Sequence, residues 1–198
     1  GGGPAGAACA RRLVKDGVDC IILDKQEFPR PKTCAGWITP RVFQDLGVKP
    51  EDYPHPLTVF SSLKLYLNRF PLVKPGTQYA IRRVEFDHWL LSLADAPIIH
   101  HEVKDITKTE AVYLIDQEYS ADILIGAGGT HCPVYHQIFK TDQPRQGEKI
   151  VALEEEYQAE WKDGRCRLWF FENGLPGYAW YVPKDHGYIN IGLGGMAM

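Results

Sequence analysis

The stretch Gly1-Gly2-Gly3-Pro4-Ala5-Gly6 has the spacing G-x-G-x-x-G. Glycines at this spacing allow a tight turn, close approach of the backbone to a diphosphate, and close packing of a helix on a strand. A helical pattern follows from Ala5 to Asp16 and ends at Gly17, and an apolar run from Val18 to Leu23 predicts a strand that ends in the acid Asp24. This order predicts a Rossmann-like dinucleotide site in which Asp24 accepts a hydrogen bond from a ribose 2′-hydroxyl.

The two ends of the sequence lack parts that this fold needs. No apolar strand precedes Gly1, although a dinucleotide fold has one of about five or six residues there. The sequence also stops at residues 194–198, directly after a strand-like run. We therefore expect it to be an internal piece of a longer protein, truncated at both ends.

Composition limits the classes of function. The 198 residues suffice for one large domain or two modest ones, and 44% hydrophobic with 24% charged residues is typical of a globular protein. A net charge of −3 gives no reason to expect nucleic-acid binding, and no apolar run approaches the roughly 20 residues of a membrane span. The five cysteines form no C-x-x-C pair, so we predict no metal site and a reducing, cytoplasmic location.

The first half of the sequence predicts alternating helices and strands. Lys25 to Thr39 has the prolines and basic residues of a structured loop, and Phe70 to Tyr79 contains a Pro-Gly turn. The other predicted elements are a short helix over Thr39–Leu46 ended by Gly47, a strand over Leu57–Leu67, a helix over Arg83–Ala94, a strand over Ile98–Ile106, a hairpin of Ala111–Ile115 with Glu118–Ala121, and a short strand over Asp122–Gly126.

From Ile150 onward the pattern changes to successive strands. They are predicted as an antiparallel meander over Ile150–Ala159, Cys166–Phe171, Tyr178–Val182 and Tyr188–Leu193, with turn residues such as Asn173-Gly174 between them. The fold class is therefore α/β, or α+β overall, with a Rossmann-like domain and an antiparallel β-rich domain. We assign residues 1–56 and 79–140 to a cofactor domain, and residues 57–78 and 141–198 to an incomplete substrate domain.

Four segments together resemble one enzyme family. They are Gly1–Gly6, Phe28-Pro29-Arg30-Pro31-Lys32-Thr33-Cys34-Ala35-Gly36, Arg83-Val84-Glu85-Phe86-Asp87, and Tyr178-Ala179-Trp180-Tyr181-Val182-Pro183, with Gly192-Leu193-Gly194 following. Their order is similar to that of the flavin-dependent geranylgeranyl reductases, a branch of the FAD oxidoreductases that also contains aromatic hydroxylases and flavin halogenases. The resemblance covers nearly the whole sequence.

The sequence departs from the family pattern at three places. Ala35 stands where the family loop has a glycine, Val182 stands where the aromatic motif has Phe, and Gly128-Gly129 replaces the family's Asp-Gly turn. A Gly-Asp segment that closes over the flavin in the family lies beyond the end of this sequence. The resemblance thus implies an FAD site of which this sequence supplies a part, and a substrate pocket that Val182 would widen.

The resemblance also implies roles for individual residues. Arg83 would reach the diphosphate or ribose, unless it only forms a surface salt bridge with Glu85 or Asp87. The implied FAD-binding residues are Gly1, Gly3, Pro4, Ala5, Gly6, Asp24, Lys25, Arg30, Lys32, Cys34, Ala35, Gly36, Arg83, Val103, Gly126, Ala127 and Gly128. The implied substrate residues are Tyr178, Trp180, Val182, Pro183, Gly192 and Gly194.

Two groups of these residues allow a second interpretation. The basic loop around Cys34 would lie against the isoalloxazine with its thiol toward the substrate, and Cys34 is the one candidate catalytic residue; otherwise it is a surface loop with an inert thiol. Tyr178, Trp180 and Val182 alternate along one strand and so share a face. That face would hold the substrate against the flavin, or it is an ordinary packed core.

The family implies hydride transfer from reduced FAD to a C=C bond of an isoprenoid or other apolar substrate. The electron donor is left open between NAD(P)H and a ferredoxin-type protein, as is contact with a membrane surface. Two alternatives remain: a flavin-dependent monooxygenase or halogenase, and a flavin electron-transfer protein without substrate chemistry.

Overall fold

A computed structural model of the protein describes residues 1–139, 150–160 and 163–196. The chain divides into two compact units, each built from two segments. Unit 1 comprises Gly1–Arg30 and Asp87–Gln143, and unit 2 comprises Pro31–Phe86 and Pro144–Met198. Residues 31–56 and 79–86 therefore pack within unit 2, whereas the functional division predicted from the sequence groups them with the cofactor domain; its boundary at 140/141 lies outside the described residues.

The helices and strands of the described residues are as follows. In chain order they are α1 (Pro4–Lys15), β1 (Ile22–Asp24), β2 (Trp37–Ile38), α2 (Pro40–Leu46), β3 (Thr58–Leu67), β4 (Phe70–Ala80), α3 (Arg83–Ser92), β5 (Ile98–His100), β6 (Ile106–Lys108), β7 (Tyr113–Ile115), β8 (Tyr119–Ala121), α4 (Pro133–Ile138), β9 (Ile150–Gln158), β10 (Arg167–Phe170), β11 (Gly177–Lys184) and β12 (Tyr188–Met196).

Unit 1 contains the predicted strand–helix unit and a small antiparallel sheet. Strands β1 and β5 pair in parallel, with Ile22 opposite Ile98. Helix α1 begins at Pro4, where the missing N–H breaks no hydrogen bond, and buries Ala7 and Ala10. The predicted hairpin is confirmed, because β7 and β8 pair around Asp116 and Gln117, which both have positive φ.

Two strand predictions in unit 1 are wrong. The predicted strand over Ile98–Ile106 is two short strands, β5 and β6, because Lys104 and Asp105 turn to donate their N–H groups to Asp116. Residues 122–126 are all described and do not form a strand. Ile123 is 78% exposed, and a strand needs a hydrogen-bonded neighbour, which the β1–β5 pair does not give this run.

Unit 2 is built on a seven-stranded sheet with the order β2-β4-β3-β10-β11-β12-β9. The last three of these strands are antiparallel to their neighbours, but the predicted meander is wrong in two respects. Strand β10 pairs in parallel with β3, and β9 pairs with β12 at the far edge of the sheet. Both pairings join segments that are distant in sequence, and local patterns do not specify them.

Two further predictions in unit 2 need correction. Pro75-Gly76 is not a turn, since β4 continues through it beside an irregularity in the pairing between Phe60 and Ser62. Gly76 adopts a φ of 136° that favours glycine. The loop predicted over Lys25–Thr39 contains β2, which pairs with the end of β4. The short helix α2 is confirmed, with Gly47 in the left-handed conformation at its end.

Candidate functional site

The glycine turn of unit 1 is sterically specified. A Cβ on Gly6 would overlap the carbonyl oxygen of Gly1, and a Cβ on Gly1 would overlap that of Ala127. Gly3 is the N-cap of α1, and the carbonyl of Gly3 accepts the first helical hydrogen bond, from the N–H of Ala7 at 2.9 Å. The remaining N–H groups of this first turn have no acceptor within the helix, so they and the helix dipole favour an anion there.

Asp24 lies beside this turn at the end of β1. Its Oδ2 accepts a hydrogen bond from the N–H of Gly2 at 2.6 Å, and its Oδ1 accepts one from the N–H of Gln26 at 2.9 Å. An ionised carboxylate can accept about four hydrogen bonds in total. The two backbone donors therefore fix the orientation of Asp24 and leave capacity for a ribose hydroxyl.

Arg30 is the most informative side chain in unit 1. Its side chain is 11% exposed, and its Nη2 lies 3.7 Å from Oδ2 of the fully buried Asp87. The guanidinium lies over the Phe28 ring at 4.7 Å, and a Cβ on Gly3 would be 3.5 Å from Nη2. Its Nε and Nη1 are buried without a hydrogen-bond partner among the described residues. Buried unpaired donors are costly, and Nη2 of the same guanidinium lies beside Gly3 at the N-terminus of α1. The Arg30 side chain therefore indicates a place for an anion.

A polar cavity of about 470 Å³ opens at the carboxyl ends of β1 and β5. It is lined by Lys25, His100, His101, Glu102, Lys104, Asp116 and Glu118. Nε2 of His101 lies 2.7 Å from Oδ2 of Asp116, and Oδ1 of Asp116 accepts from the N–H of Asp105 at 2.7 Å. Although desolvation opposes it, hydrogen bonds from His101, Asp105 and Lys104 hold the pKa of Asp116 below its ordinary value. Lys25 and the sequence neighbours of Val103, Glu102 and Lys104, thus line one cavity, and the cofactor roles of Lys25 and Val103 remain predictions.

The other predicted cofactor residues of unit 1 pack against one another. Ala127 borders the glycine turn, since a Cβ on Gly6 would lie 3.4 Å from its Cβ. Gly126 and Gly128 leave room for Cys132, with a Cβ on Gly128 coming within 2.9 Å of its Cα. In unit 1 the residues present therefore fit the diphosphate and ribose of a dinucleotide, with Arg30 at the diphosphate.

The Cys34 loop of unit 2 is closely packed at Gly36. Gly36 has a φ of 67°, its carbonyl accepts from the N–H of Ile81 at 2.9 Å, and a Cβ on it would lie 2.8 Å from Nζ of Lys184. Cys34 is half-buried, Ala35 packs on the apolar core, and Lys32 is exposed. Arg83 is half-buried at the start of α3. The cofactor roles of Lys32, Cys34, Ala35, Gly36 and Arg83 remain predictions.

Tyr178, Trp180 and Val182 share one face of the seven-stranded sheet, which we call the Trp180 face. At one end lies an exposed apolar row in which Phe70, Leu67, Phe170 and Tyr178 are cross-strand partners in turn. Phe70 is 75% exposed and Tyr178 is 40% exposed. Val182 at the other end is fully buried in the core, with Pro183 beside it. The Trp180 face is therefore exposed to solvent at Tyr178 and buried at Val182. Core side chains pack around Val182 and occupy the space that its shorter side chain leaves.

The glycines opposite this strand make room for its aromatic rings. A Cβ on Gly192 would overlap the Trp180 ring and lie 2.7 Å from Cβ of Glu154. Gly194 is the partner of Tyr178 and lies against Ala152. The predicted substrate residues are therefore neighbours in the structure, and their role in binding a substrate remains a prediction.

A buried polar network closes the inner end of the Trp180 face. Lys184 is fully buried and forms an ion pair with Glu156. Arg82 contacts Glu156 at 2.9 Å and Glu85 at 3.1 Å, and its guanidinium lies 3.7 Å over the Tyr188 ring. Desolvation lowers the pKa of Lys184, although Glu156 opposes this. Desolvation also raises the pKa of Glu154.

Sequence reasoning missed this network and also the position of Arg30. Alternate residues of a strand lie on one face, so the strand that carries Tyr178, Trp180 and Val182 also places Lys184 on that face. In the same way Asn190 shares a face with Gly192 and Gly194. Strand alternation in the sequence therefore could have identified Lys184 and Asn190. No sequence signal identifies Arg82, because its partner Glu156 lies on β9, whose position at the sheet edge is set by a distant pairing.

Comparison with known proteins shows that the chain is similar to several reductases. Residues 1–69 match the family described as an NAD(P)-binding Rossmann-like domain. The chain is 25% identical to digeranylgeranylglycerophospholipid reductase 2 of Methanopyrus kandleri, over 98% of the chain and 53% of that protein. It is 25% identical to the menaquinone reductase of Mycolicibacterium smegmatis, over 100% of the chain and 54% of that protein. The chain spans about half the length of the curated relatives it matches.

Solved structures agree in fold. A geranylgeranyl bacteriochlorophyll reductase-like protein from Thermoplasma acidophilum superposes with a TM-score of 0.81 at 21% identity, over 98% of this chain and 55% of that one. PqsL from Pseudomonas aeruginosa, described as a probable FAD-dependent monooxygenase, gives 0.77 at 16% identity, over 99% and 59%. The flavin-dependent brominase Bmp2 gives 0.78 at 17% identity, over 98% and 54%.

These similarities bear on the sequence predictions directly. They confirm the predicted fold class and agree with FAD as the cofactor of the family. Among the described residues, no helix has both the length and the apolar character needed to cross a membrane. The predicted resemblance is confirmed: along nearly its whole length the chain is similar to the geranylgeranyl reductase-like branch of the FAD-dependent oxidoreductases.

Proposed function

We propose that this chain is the FAD-binding and substrate-facing part of an oxidoreductase that reduces a C=C bond of an isoprenoid or another apolar substrate. The observation that supports the cofactor assignment is the Arg30 guanidinium: its Nη2 lies beside the N-cap Gly3, and its Nε and Nη1 are buried without a hydrogen-bond partner among the described residues. A guanidinium with two free donors matches the oxygens of a diphosphate. FAD, when bound and reduced, supplies the hydride for such a reaction.

Each unit contributes its own chemistry. In unit 1, Arg30 and the first turn of α1 would bind the diphosphate, and Asp24 would accept from the ribose. In unit 2, the row formed by exposed Phe70, Leu67 and Tyr178 with half-buried Phe170 offers an apolar surface that excludes water from an apolar substrate. The names of the reductases among the relatives support a substrate of this kind. The electron donor stays open between NAD(P)H and a ferredoxin-type protein.

The test uses the full-length protein. We expect it to be purified with, or reconstituted by, FAD, as seen in the absorption spectrum of oxidised flavin. Under anaerobic conditions, chemical reduction followed by a polyprenyl alkene should reoxidise the flavin and give a saturated product, detected by mass spectrometry. A full-length protein that cannot be loaded with FAD would contradict the cofactor assignment, and a loaded protein that reduces none of the alkenes or quinones offered would contradict the reaction.

A flavin monooxygenase or halogenase is the second candidate. The superposition on PqsL and on the brominase Bmp2 favours it at the level of the fold. Such an enzyme needs O₂, so its substrate turnover would stop under anaerobic conditions and would incorporate oxygen or halogen into the product. Alkene reduction without O₂ separates the two candidates.

A further inference from the structure

Asn190 joins the Trp180 ring to the Cys34 loop. It is 1% exposed, its Oδ1 accepts from Nε1 of Trp180 at 2.7 Å, and its Nδ2 donates to the carbonyl of Cys34 at 3.4 Å. An amide offers one acceptor and two donor hydrogens. Asn190 uses both kinds of group, so its orientation is fixed.

Glu154 lies near both Asn190 and the backbone of Cys34. Desolvation raises the pKa of Glu154, and hydrogen-bonding groups of Asn190 and the Cys34 backbone oppose this rise. Glu154 and Trp180 are both opposite Gly192, one on β9 and one on β11. The absence of a side chain at Gly192 lets the ring and the carboxylate share this row.

These contacts attach the loop to the sheet at two residues. Asn190 on β12 donates to the carbonyl of Cys34, Gly36 accepts from Ile81, and Glu154 on β9 lies near the Cys34 backbone. The loop is therefore attached to the part of the sheet that carries Trp180. Because Asn190 is hydrogen-bonded to both groups, a displacement of the Trp180 ring would also displace Asn190 and the carbonyl of Cys34.

We propose that Asn190 and Glu154 are positioning residues that fix the Cys34–Gly36 loop relative to the Trp180 ring. Loss of the Asn190 donor would release the loop while the sheet stays folded. The proposal rests on the proposed function only in giving the loop a role at the flavin, and its structural part can be tested without flavin or substrate.

The test measures the alkylation rate of single cysteines in the full-length protein by mass spectrometry. Asn190→Asp keeps the acceptor for Trp180, removes the donor to Cys34, and places a second carboxylate beside Glu154. We expect Cys34 to react at least about tenfold faster with iodoacetamide. Cys166, which is 0% exposed, reports global unfolding and should keep its rate.

Two further variants give rescue and control. Glu154→Gln combined with Asn190→Asp restores a donor opposite the new carboxylate, so we expect the Cys34 rate to return to within about threefold of the wild type. Gln78→Glu makes the equivalent change at the indole of Trp37, which Gln78 accepts from at 3.0 Å, and should leave Cys34 unchanged. Glu154→Gln alone is a milder variant if Asn190→Asp fails to fold, with an expected rise of about threefold.

The outcomes separate the two proposals. An unchanged Cys34 rate, or equal increases at Cys34 and Cys166, would overturn the positioning role whatever the protein binds. If the structural result holds and FAD is bound, Asn190→Asp should lower kcat for the alkene more than it raises KM, because the loop and ring are misplaced after binding. If Gln78→Glu changed kcat and KM as much as Asn190→Asp does, the kinetic effect would not be specific to Asn190, and this would argue against its positioning role.

Discussion

Two half-buried arginines show how the two units differ. Arg82 in unit 2 has carboxylates at both sides of its fork, Glu156 at 2.9 Å and Glu85 at 3.1 Å, and a tyrosine ring under its plane. Arg30 in unit 1 is more buried, at 11% against 26% side-chain exposure, but it has a single distant carboxylate and two unpartnered nitrogens. A guanidinium whose donors are all used stabilises the fold, whereas one with unused donors indicates a ligand.

The largest effect that this comparison predicts is on stability at Arg82. Arg82→Met should lower the free energy of unfolding by about 2–3 kcal/mol, because Glu85 loses its donor and Glu156 keeps only Lys184 among the described residues. Chemical denaturation followed by fluorescence measures this loss. Arg41→Met removes an exposed pair with Asp45 and should change stability by less than about 0.5 kcal/mol. Equal losses in the two variants would contradict a structural role that is special to Arg82.

The next effect is on cofactor binding at Arg30. Arg30→Met should weaken FAD binding to the full-length protein by about 10- to 100-fold, since the diphosphate loses a charged donor. The unfolding free energy without FAD should change by no more than about 1 kcal/mol, because removing two unpaired N–H groups offsets the lost contact with Asp87. Flavin fluorescence titration and denaturation give the two values. A large stability loss with unchanged FAD affinity would reverse the assignment of the two arginines.

A smaller effect concerns pH dependence next to Arg82. The folded pKa of Lys184 lies below its ordinary value of 10.5 because of desolvation. Between these two values the unfolded chain binds more protons at Lys184, so its contribution to stability rises with pH in that window. The difference in unfolding free energy between wild type and Lys184→Met should therefore increase as the pH rises toward 10.5, by less than the loss in Arg82→Met. Denaturation at a series of pH values measures this difference, and a difference that falls with pH would contradict the direction of the shift.

The smallest effect tests the space beside Arg30. Gly3→Ala is compatible with its φ of −67°, and the new Cβ would be in ordinary contact with Nη2 of Arg30 at 3.5 Å. We expect less than about 0.5 kcal/mol in stability and an increase of about threefold in the Kd for FAD, because the methyl group narrows the anion site. Gly6→Ala, whose Cβ overlaps Gly1, should instead disrupt the turn itself. FAD affinity that improves in Gly3→Ala would contradict an anion site at this position.

The parts of the molecule that the sequence predicts are those that local residues specify. The glycine turn depends on contacts within Gly1–Gly6 and with one alanine, and the β7–β8 hairpin depends on two turn residues of positive φ. The shared face of Tyr178, Trp180 and Val182 follows from strand geometry alone. Each of these is confirmed because few distant contacts compete with the local preference.

The parts that could not be predicted depend on distant partners. The four residues of strand β10 predict a strand, but nothing in them specifies that it pairs in parallel with β3. The role of Arg30 also depends on its surroundings: the loop sequence shows a basic residue, but only the fold places it beside Gly3 rather than with the Cys34 loop of unit 2. Charge in a sequence does not reveal whether its partner is another side chain or a ligand.

The pairing of β3 with β10 has a consequence for the synthesis of this protein. The ribosome completes β3 and β4 long before it reaches β10, and during that interval the β3 edge has unpaired backbone groups that can pair with another chain. The nascent β3–β4 hairpin also carries exposed Val59, Phe70 and Val73. We expect nascent chains that stall before Arg167 to aggregate or to require a chaperone, so the rate of translation through the segment between these strands should influence the yield of folded protein.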